Sequence, residues 1–155
     1  IILRNLEDAD LDSLFAWERD RQAVALAAFT RSDPSDRAAF DAHYRRIRKD
    51  GSVTLLAIDD GAGLVGSIGS FTIEGDREIT YWIDPAHWGN GIATAALASF
   101  LLIEAVRPLF ARVAAHNHGS AAVLQRNGFQ WIRSETSYAQ GPGRDILEHI
   151  YRLAR

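Results

Sequence analysis

The sequence has neither cysteine nor methionine. Without cysteine there is no disulfide framework and no thiol chemistry. The first residue is Ile1, so the initiating residue is expected to lie outside this chain. No apolar run approaches the roughly 18 residues of a membrane span, and the first residues show no signal-peptide pattern. A cytoplasmic setting without membrane association is therefore expected. Charge of one sign is not in excess. Lys and Arg number 17 against 20 Asp and Glu, a net −3, which gives no reason to expect nucleic acid or an anionic membrane surface. Linkers, repeats and low-complexity segments are also missing, so one domain over residues 1–155 is expected. Charged residues make up 24% and hydrophobic residues 47% of the 155, an ordinary globular balance with enough chain for a sizeable core.

The pattern of apolar residues sets the expected elements. Ile1 to Arg4 reads as a short strand. Asp8 or Asp10 can cap a helix whose apolar face is Leu11, Leu14, Phe15 and Trp17. Arg19 to Phe29 has an alanine-rich middle without a clear period. Ser32-Asp33-Pro34 reads as a second helix start, leading through Phe40, Tyr44 and Ile47 to a stop at Gly51. Val53–Ile58, Leu64–Ile73 and Arg77–Ile83 read as three successive strands joined by the turns Asp59-Asp60-Gly61 and Glu74-Gly75-Asp76. A helix follows from Ile92, with apolar residues recurring to Ile103. Phe110–Ala115 is a strand, Ser120–Arg126 a short helix, and Phe129–Glu135 and Ile146–Leu153 two final strands around a loop at Ala139–Arg144. Three consecutive strands argue for hairpins, and strand-helix-strand around the central helix argues for a parallel crossover. The expected fold is α/β (α+β): a mixed, mostly antiparallel sheet of about six to seven strands flanked by helices.

The most informative stretch is Tyr81-Trp-Ile-Asp-Pro-Ala-His-Trp-Gly-Asn-Gly-Ile-Ala-Thr94. It joins a strand through Gly89 and Gly91 to a helix start, where free amides and the positive end of the dipole suit a phosphate-bearing ligand. Two phosphate motifs are excluded on the letters. A P-loop needs Gly-Lys-Ser/Thr, and Gly91 is followed by Ile92 and Ala93. A dinucleotide fingerprint needs an acidic residue about 20 positions on, and Phe110 to His116 contains none.

The same stretch resembles the acyl-CoA loop of the GNAT superfamily of N-acetyltransferases, Gln/Arg-x-x-Gly-x-Gly/Ala. Gly91 and Ala93 fill the last two fixed places, while Trp88 stands where Gln or Arg belongs. Asn117-His-Gly-Ser120-Ala-Ala-Val-Leu124-Gln-Arg-Asn-Gly128-Phe129 is similar to the family's Asn-x-x-Ser-x-x-x-Leu-x-x-x-Gly-Phe segment. Tyr-Trp-Ile-Asp-Pro with Trp-Gly-x-Gly-Ile-Ala-Thr most resembles the RimJ/RimL-like branch. The resemblance covers nearly the whole chain in element order.

The resemblance implies acyl transfer from acetyl-CoA, as cosubstrate, to a primary amine on a small molecule or a peptide N-terminus, with no metal, by direct transfer. It would place the pantetheine along Tyr81, Trp82 and Ile83, with a backbone amide there as oxyanion donor. The diphosphate would lie over Gly89, Asn90, Gly91, Ile92, Ala93 and Thr94. Asn117 would face the cofactor, and Arg126 is a candidate for its 3′-phosphate. Asn117 also reads as a turn or cap residue, and Ser120 as a helix N-cap. Leu124 occupies the place of a tyrosine that in many relatives protonates the thiolate, so Ser120, a water or no acid at all serves that step. Glu78 is the first candidate for general base, with a solvated strand-end carboxylate as the alternative. His116 and His118 are second candidates. His87 reads as a loop surface residue and His149 as a packed strand residue. The resemblance is compatible with a homodimer. Two other functions remain open at this level: a non-catalytic acyl-CoA sensor, and a nucleotide-binding protein using the glycine loop.

Overall fold

A computed structural model describes residues 1–28 and 30–155. Seven strands form one sheet in the order β1-β2-β3-β4-β5-β7-β6. They are β1 (Ile2–Asn5), β2 (Thr54–Asp59), β3 (Leu64–Ile73), β4 (Asp76–Ile83), β5 (Leu109–Ala114), β6 (Gln130–Ala139) and β7 (Arg144–Leu153). The helices are α1 (Leu11–Arg19), α2 (Arg21–Ala27), α3 (Arg37–Lys49), α4 (Ile92–Phe100) and α5 (His118–Arg126). Every strand pair is antiparallel except β4 with β5. The mixed sheet and its flanking helices are those the hydrophobic pattern calls for.

Side chains alternate between the faces of a strand, and the two faces carry separate cores. Ile79 and Ile83 of β4 and Ala111 and Val113 of β5 pack with Leu97 and Phe100 of α4 and Val123 and Leu124 of α5. On the opposite face Ala57 packs with Leu14, Phe15, Phe40 and Tyr44 from α1 and α3. A small third cluster, Ala28, Ala114, Ala139 and Ile146, lies where the end of α2 meets β5 and the last hairpin.

Three element boundaries differ from the pattern, the first two through a polar side chain. The third helix does not begin at Ser32-Asp33-Pro34. Asp33 instead accepts from the backbone N–H and hydroxyl of Ser35, an Asx turn. The cap is Asp36, which accepts from Ala39 N at 3.0 Å. Second, α4 stops at Phe100 although apolar residues continue. Glu104 folds inward, 8% exposed, to accept from Ser70 Oγ at 2.5 Å and Arg77 Nε at 2.6 Å. Leu102 is left facing out. Third, the last hairpin is longer than expected, with the strands reaching Ala139 and Arg144.

The stretch without a period contains α2, capped by Asp20, which accepts from Ala23 N at 2.9 Å. Phe29, within that stretch, lies outside the described residues. The hairpin turn holds α2 in place. Gly141 N donates to Ala28 O at 2.8 Å, and a Cβ at Gly141 would run into the Val24 carbonyl oxygen. Gly141→Ala is expected to destabilise the protein by about 1–3 kcal/mol, the usual penalty of overpacking. A denaturant midpoint equal to wild type would show that this contact does not hold α2.

Candidate active site

Beta-strands 4 and 5 pair only at Arg77↔Leu109 and Glu78↔Phe110. Beyond Glu78 they part, and β5 continues its ladder with β7 alone. The gap opens into a cavity of about 960 Å³ that runs from the glycine loop and α5 to the face under α2. Of the residues singled out for cofactor or catalysis, Glu78, Tyr81, Trp82, Ile83, Gly89, Gly91, Ile92, Ala93, Thr94, Asn117 and Ser120 line it. Asn90 does not: its Nδ2 donates to His87 O at 3.2 Å within the loop.

The loop is shaped by its own polar contacts. Asp84 accepts from Ala86 N at 3.0 Å and lies 3.2 Å from His87 Nδ1. Trp88, in the place of the expected Gln or Arg, donates its indole N–H to Ile83 O at 3.0 Å. It thus fixes the loop to the end of β4 but brings no charge. Gly89 (φ 80°) and Gly91 (φ 75°) are left-handed, a conformation that favours glycine. Gly91 is the N-cap of α4 and has no side chain to cap the first turn. Those first-turn amides and the helix dipole therefore offer the anion-binding end. Among the described residues the Thr94 hydroxyl is buried without a partner, a spare donor at the same turn. The Trp82 indole N–H is likewise buried with no partner among the described residues. Arg126 lines the cavity and supplies a cation.

On the α5 side the N-cap is Asn117 rather than Ser120. Its Oδ1 accepts from Ser120 N at 3.2 Å, and its Nδ2 donates to Leu26 O at 3.3 Å. His116 Nε2 lies 2.8 Å from Ala25 O. A carbonyl only accepts, so Nε2 carries the hydrogen and is not a free base there. Together these two residues tie the end of α2 across the cavity. Ser120, released from capping, places its Oγ 2.6 Å from the Tyr81 hydroxyl. Leu124 is 1% exposed within the core and offers no acid. His149 packs against Trp131 and contacts Ser134 Oγ, in keeping with a structural histidine.

Under α2 the cavity floor is charged. Glu78 is not a solvated strand-end carboxylate, being 6% exposed. Arg112 of β5 reaches it at 3.4 Å, and also reaches Glu148 of β7 at 3.3 Å and Glu135 of β6 at 3.0 Å. All four side chains share one face, because Arg112 alternates with the core residues Ala111 and Val113, and Glu135 pairs directly with Glu148. Burial pushes the Glu78 carboxyl above its ordinary value, against the pull of Arg112. Glu148 is raised for the same reason. Glu135, exposed, is held low by hydrogen bonds from Arg112 and Arg133. Glu78 was visible in the sequence; Arg112 and Glu148 were not. The only sequence signal for them is the alternation along β5 and β7, which places them on a face without naming their neighbours.

One cavity between β4 and β5 thus joins a helix start without a side-chain cap to a buried carboxylate. The sequence profile of the acetyltransferase (GNAT) domain matches residues 1–130, and the chain belongs to that family. No curated protein matches the sequence significantly. Solved structures show the same fold. Spermidine N-acetyltransferase from Vibrio cholerae, in complex with CoA and spermine, superposes with a TM-score of 0.80 at 18% identity, covering 97% of this chain and 94% of that one. Ribosomal-protein-alanine N-acetyltransferase from Brucella melitensis gives 0.77 at 21% identity, with 100% of both chains covered. The microcin C7 self-immunity acetyltransferase MccE, in complex with acetyl-CoA and AMP, gives 0.79 at 17% identity over 99% and 91%.

Proposed function

We propose that this chain is an acetyl-CoA-dependent N-acetyltransferase of the RimJ/RimL-like branch, acting in the cytoplasm on an α-amine of a peptide N-terminus or a small molecule. The observation that carries the reading is the cavity itself. It joins the uncapped start of α4 to the buried Glu78 through the gap between β4 and β5. Acetyl-CoA would enter from the loop side, its diphosphate over the amides of Gly91 to Thr94 and its pantetheine beside the unpaired end of β4. A β4 amide would meet the developing oxyanion. The amine would approach from the α2 side and pass its proton to Glu78. With no cysteine in the chain, a direct transfer between two bound substrates is favoured over an acetyl-thiol intermediate.

An α-amine has a pKa near 8 and a lysine side chain one near 10.4, a difference of about 3.4 kcal/mol in deprotonation near neutral pH. A single base with a raised pKa suits the α-amine. The reading is tested by following thiol release from acetyl-CoA across peptide N-termini, free amino acids and polyamines. Turnover with α-amines supports it. Tight CoA binding without turnover on any amine would leave a sensor, and no CoA binding would remove the reading.

The pH profile carries a further prediction. The basic form of Glu78 is the carboxylate, so the rate rises with pH through its pKa. In Arg112→Gln the guanidinium no longer opposes burial and the neighbouring Glu148. Glu78 then titrates higher still, and the rising limb of kcat moves to more alkaline pH. A limb that stays in place would detach Glu78 from Arg112.

A further inference from the structure

Two hydroxyls meet in the cavity that the acetyl-CoA reading leaves without assigned partners. Tyr81 on β4 and Ser120 in the first turn of α5 are 39 residues apart in sequence, yet their oxygens lie 2.6 Å apart. The cap from Asn117 to Ser120 N fixes that turn. Among the described residues Ser120 Oγ makes no other hydrogen bond. The phenol has one further acceptor in reach, the Ser120 carbonyl, at a longer 3.3 Å.

The direction of the short bond follows from acidity. A phenol, with an ordinary pKa near 10, is much the stronger acid of the two hydroxyls and the better donor; the alkyl oxygen is the better acceptor. Burial pushes the Tyr81 hydroxyl up to about 12, so its hydrogen is present throughout the working range. A hydroxyl that accepts one bond still has its own hydrogen to give. Among the described residues the Ser120 hydrogen then has no acceptor, and it is free to turn into the cavity that Ser120 lines.

We propose that Tyr81 is a positioning residue: by donating to Ser120 Oγ it turns the serine hydrogen toward the thioester sulfur. The inference rests on the acetyl-CoA reading. In the reaction the amine nitrogen bonds to the acetyl carbon and the C–S bond breaks with its electron pair going to sulfur. The amine proton goes to Glu78. The Ser120 O–H stabilises the thiolate as it forms, and neither hydroxyl changes its protonation state. Leu124, which has no donor, does not need one if the donor comes from this pair.

The test titrates the thiol of bound CoA through the ultraviolet absorbance of its thiolate. A free thiol of this kind has a pKa near 8.5. One donated hydrogen bond to a charged sulfur lowers it by about one unit or more. In wild type the bound thiol should show that shift. Tyr81→Phe should lose at least half of it and Ser120→Ala all of it, with the double variant no worse than Ser120→Ala. Tyr81→Phe should also lower kcat by about threefold or more, equivalent to half a unit or more, with the KM for acetyl-CoA unchanged. Desulfo-CoA, which has no sulfur to meet, should bind both variants as it binds wild type. A Tyr81→Phe thiol that titrates like wild type overturns the inference, and so does a matching loss of desulfo-CoA affinity, which would make Tyr81 a packing residue. If wild type binds and turns over acetyl-CoA in those cases, the acetyltransferase reading survives. If wild type binds no CoA, both fall.

Discussion

Gly91→Glu is expected to abolish acetyl-CoA binding while leaving the fold in place. Gly91 caps α4 with φ 75°, and a Cβ there would meet nothing within 4 Å. Steric tolerance in the fold is therefore good, and the backbone penalty is about 1–2 kcal/mol for a side chain in the left-handed region. The functional penalty is larger. A carboxylate at this position would sit at the helix start, satisfy its amides and place a negative charge where the diphosphate is to lie. No basic side chain within the loop offsets it, since Trp88 replaces the Gln or Arg expected there. Affinity should fall by more than about 100-fold, a loss of roughly 2.7 kcal/mol. Gly91→Asn separates the causes, because asparagine tolerates the left-handed backbone without adding charge. Calorimetric titration with CoA and a thermal melt measure both sides. A folded Gly91→Glu protein with wild-type affinity would place the diphosphate elsewhere.

Glu78→Gln is the second large effect. The amide nearly matches the carboxylate in shape, and Arg112 keeps Glu135 and Glu148 as partners, so the site should persist. Only the basic group is lost. General-base assistance contributes about 10²–10⁴-fold, and kcat at neutral pH should fall within that range while acetyl-CoA affinity changes little. Part of the rate should return as pH rises toward the pKa of the amine, because solvent then supplies the free base. Wild-type kcat at neutral pH in this variant would clear Glu78, and His118 would be the next candidate, since His116 has its Nε2 hydrogen engaged by Ala25.

What could be read in advance was local. The strand, the two glycines and the start of α4 lie within one short stretch, and local chemistry fixes them: proline after Asp84, left-handed glycines, then an apolar helical period. The unread features were contacts between distant segments. Alanine-rich α2 has no period to reveal it, and Asp20 together with the hairpin at Gly141 defines it. The end of α4 is set by Glu104 reaching Ser70 on another strand. In the site, Glu78 was visible from its place before Tyr81. Its dependence on Arg112 and Glu148 required the register of three strands, one of them parallel and barely paired. Ser120 was visible as a motif serine, but its tyrosine partner was not, because Tyr81 fits equally well as packing when only the alternation is known.

The parting of β4 from β5 has a consequence for cooperativity. Every other neighbouring pair of strands shares at least four ladder positions, but this seam has two. The sheet is in effect two half-sheets, β1–β4 and β5–β7, stitched at one end, and sub-global opening should run along that line. A ligand bound between them acts on both halves at once, much as an added strand would. Its binding energy then counts directly toward the unity of the fold, so substrate occupancy and cooperative unfolding draw on the same few unpaired backbone groups.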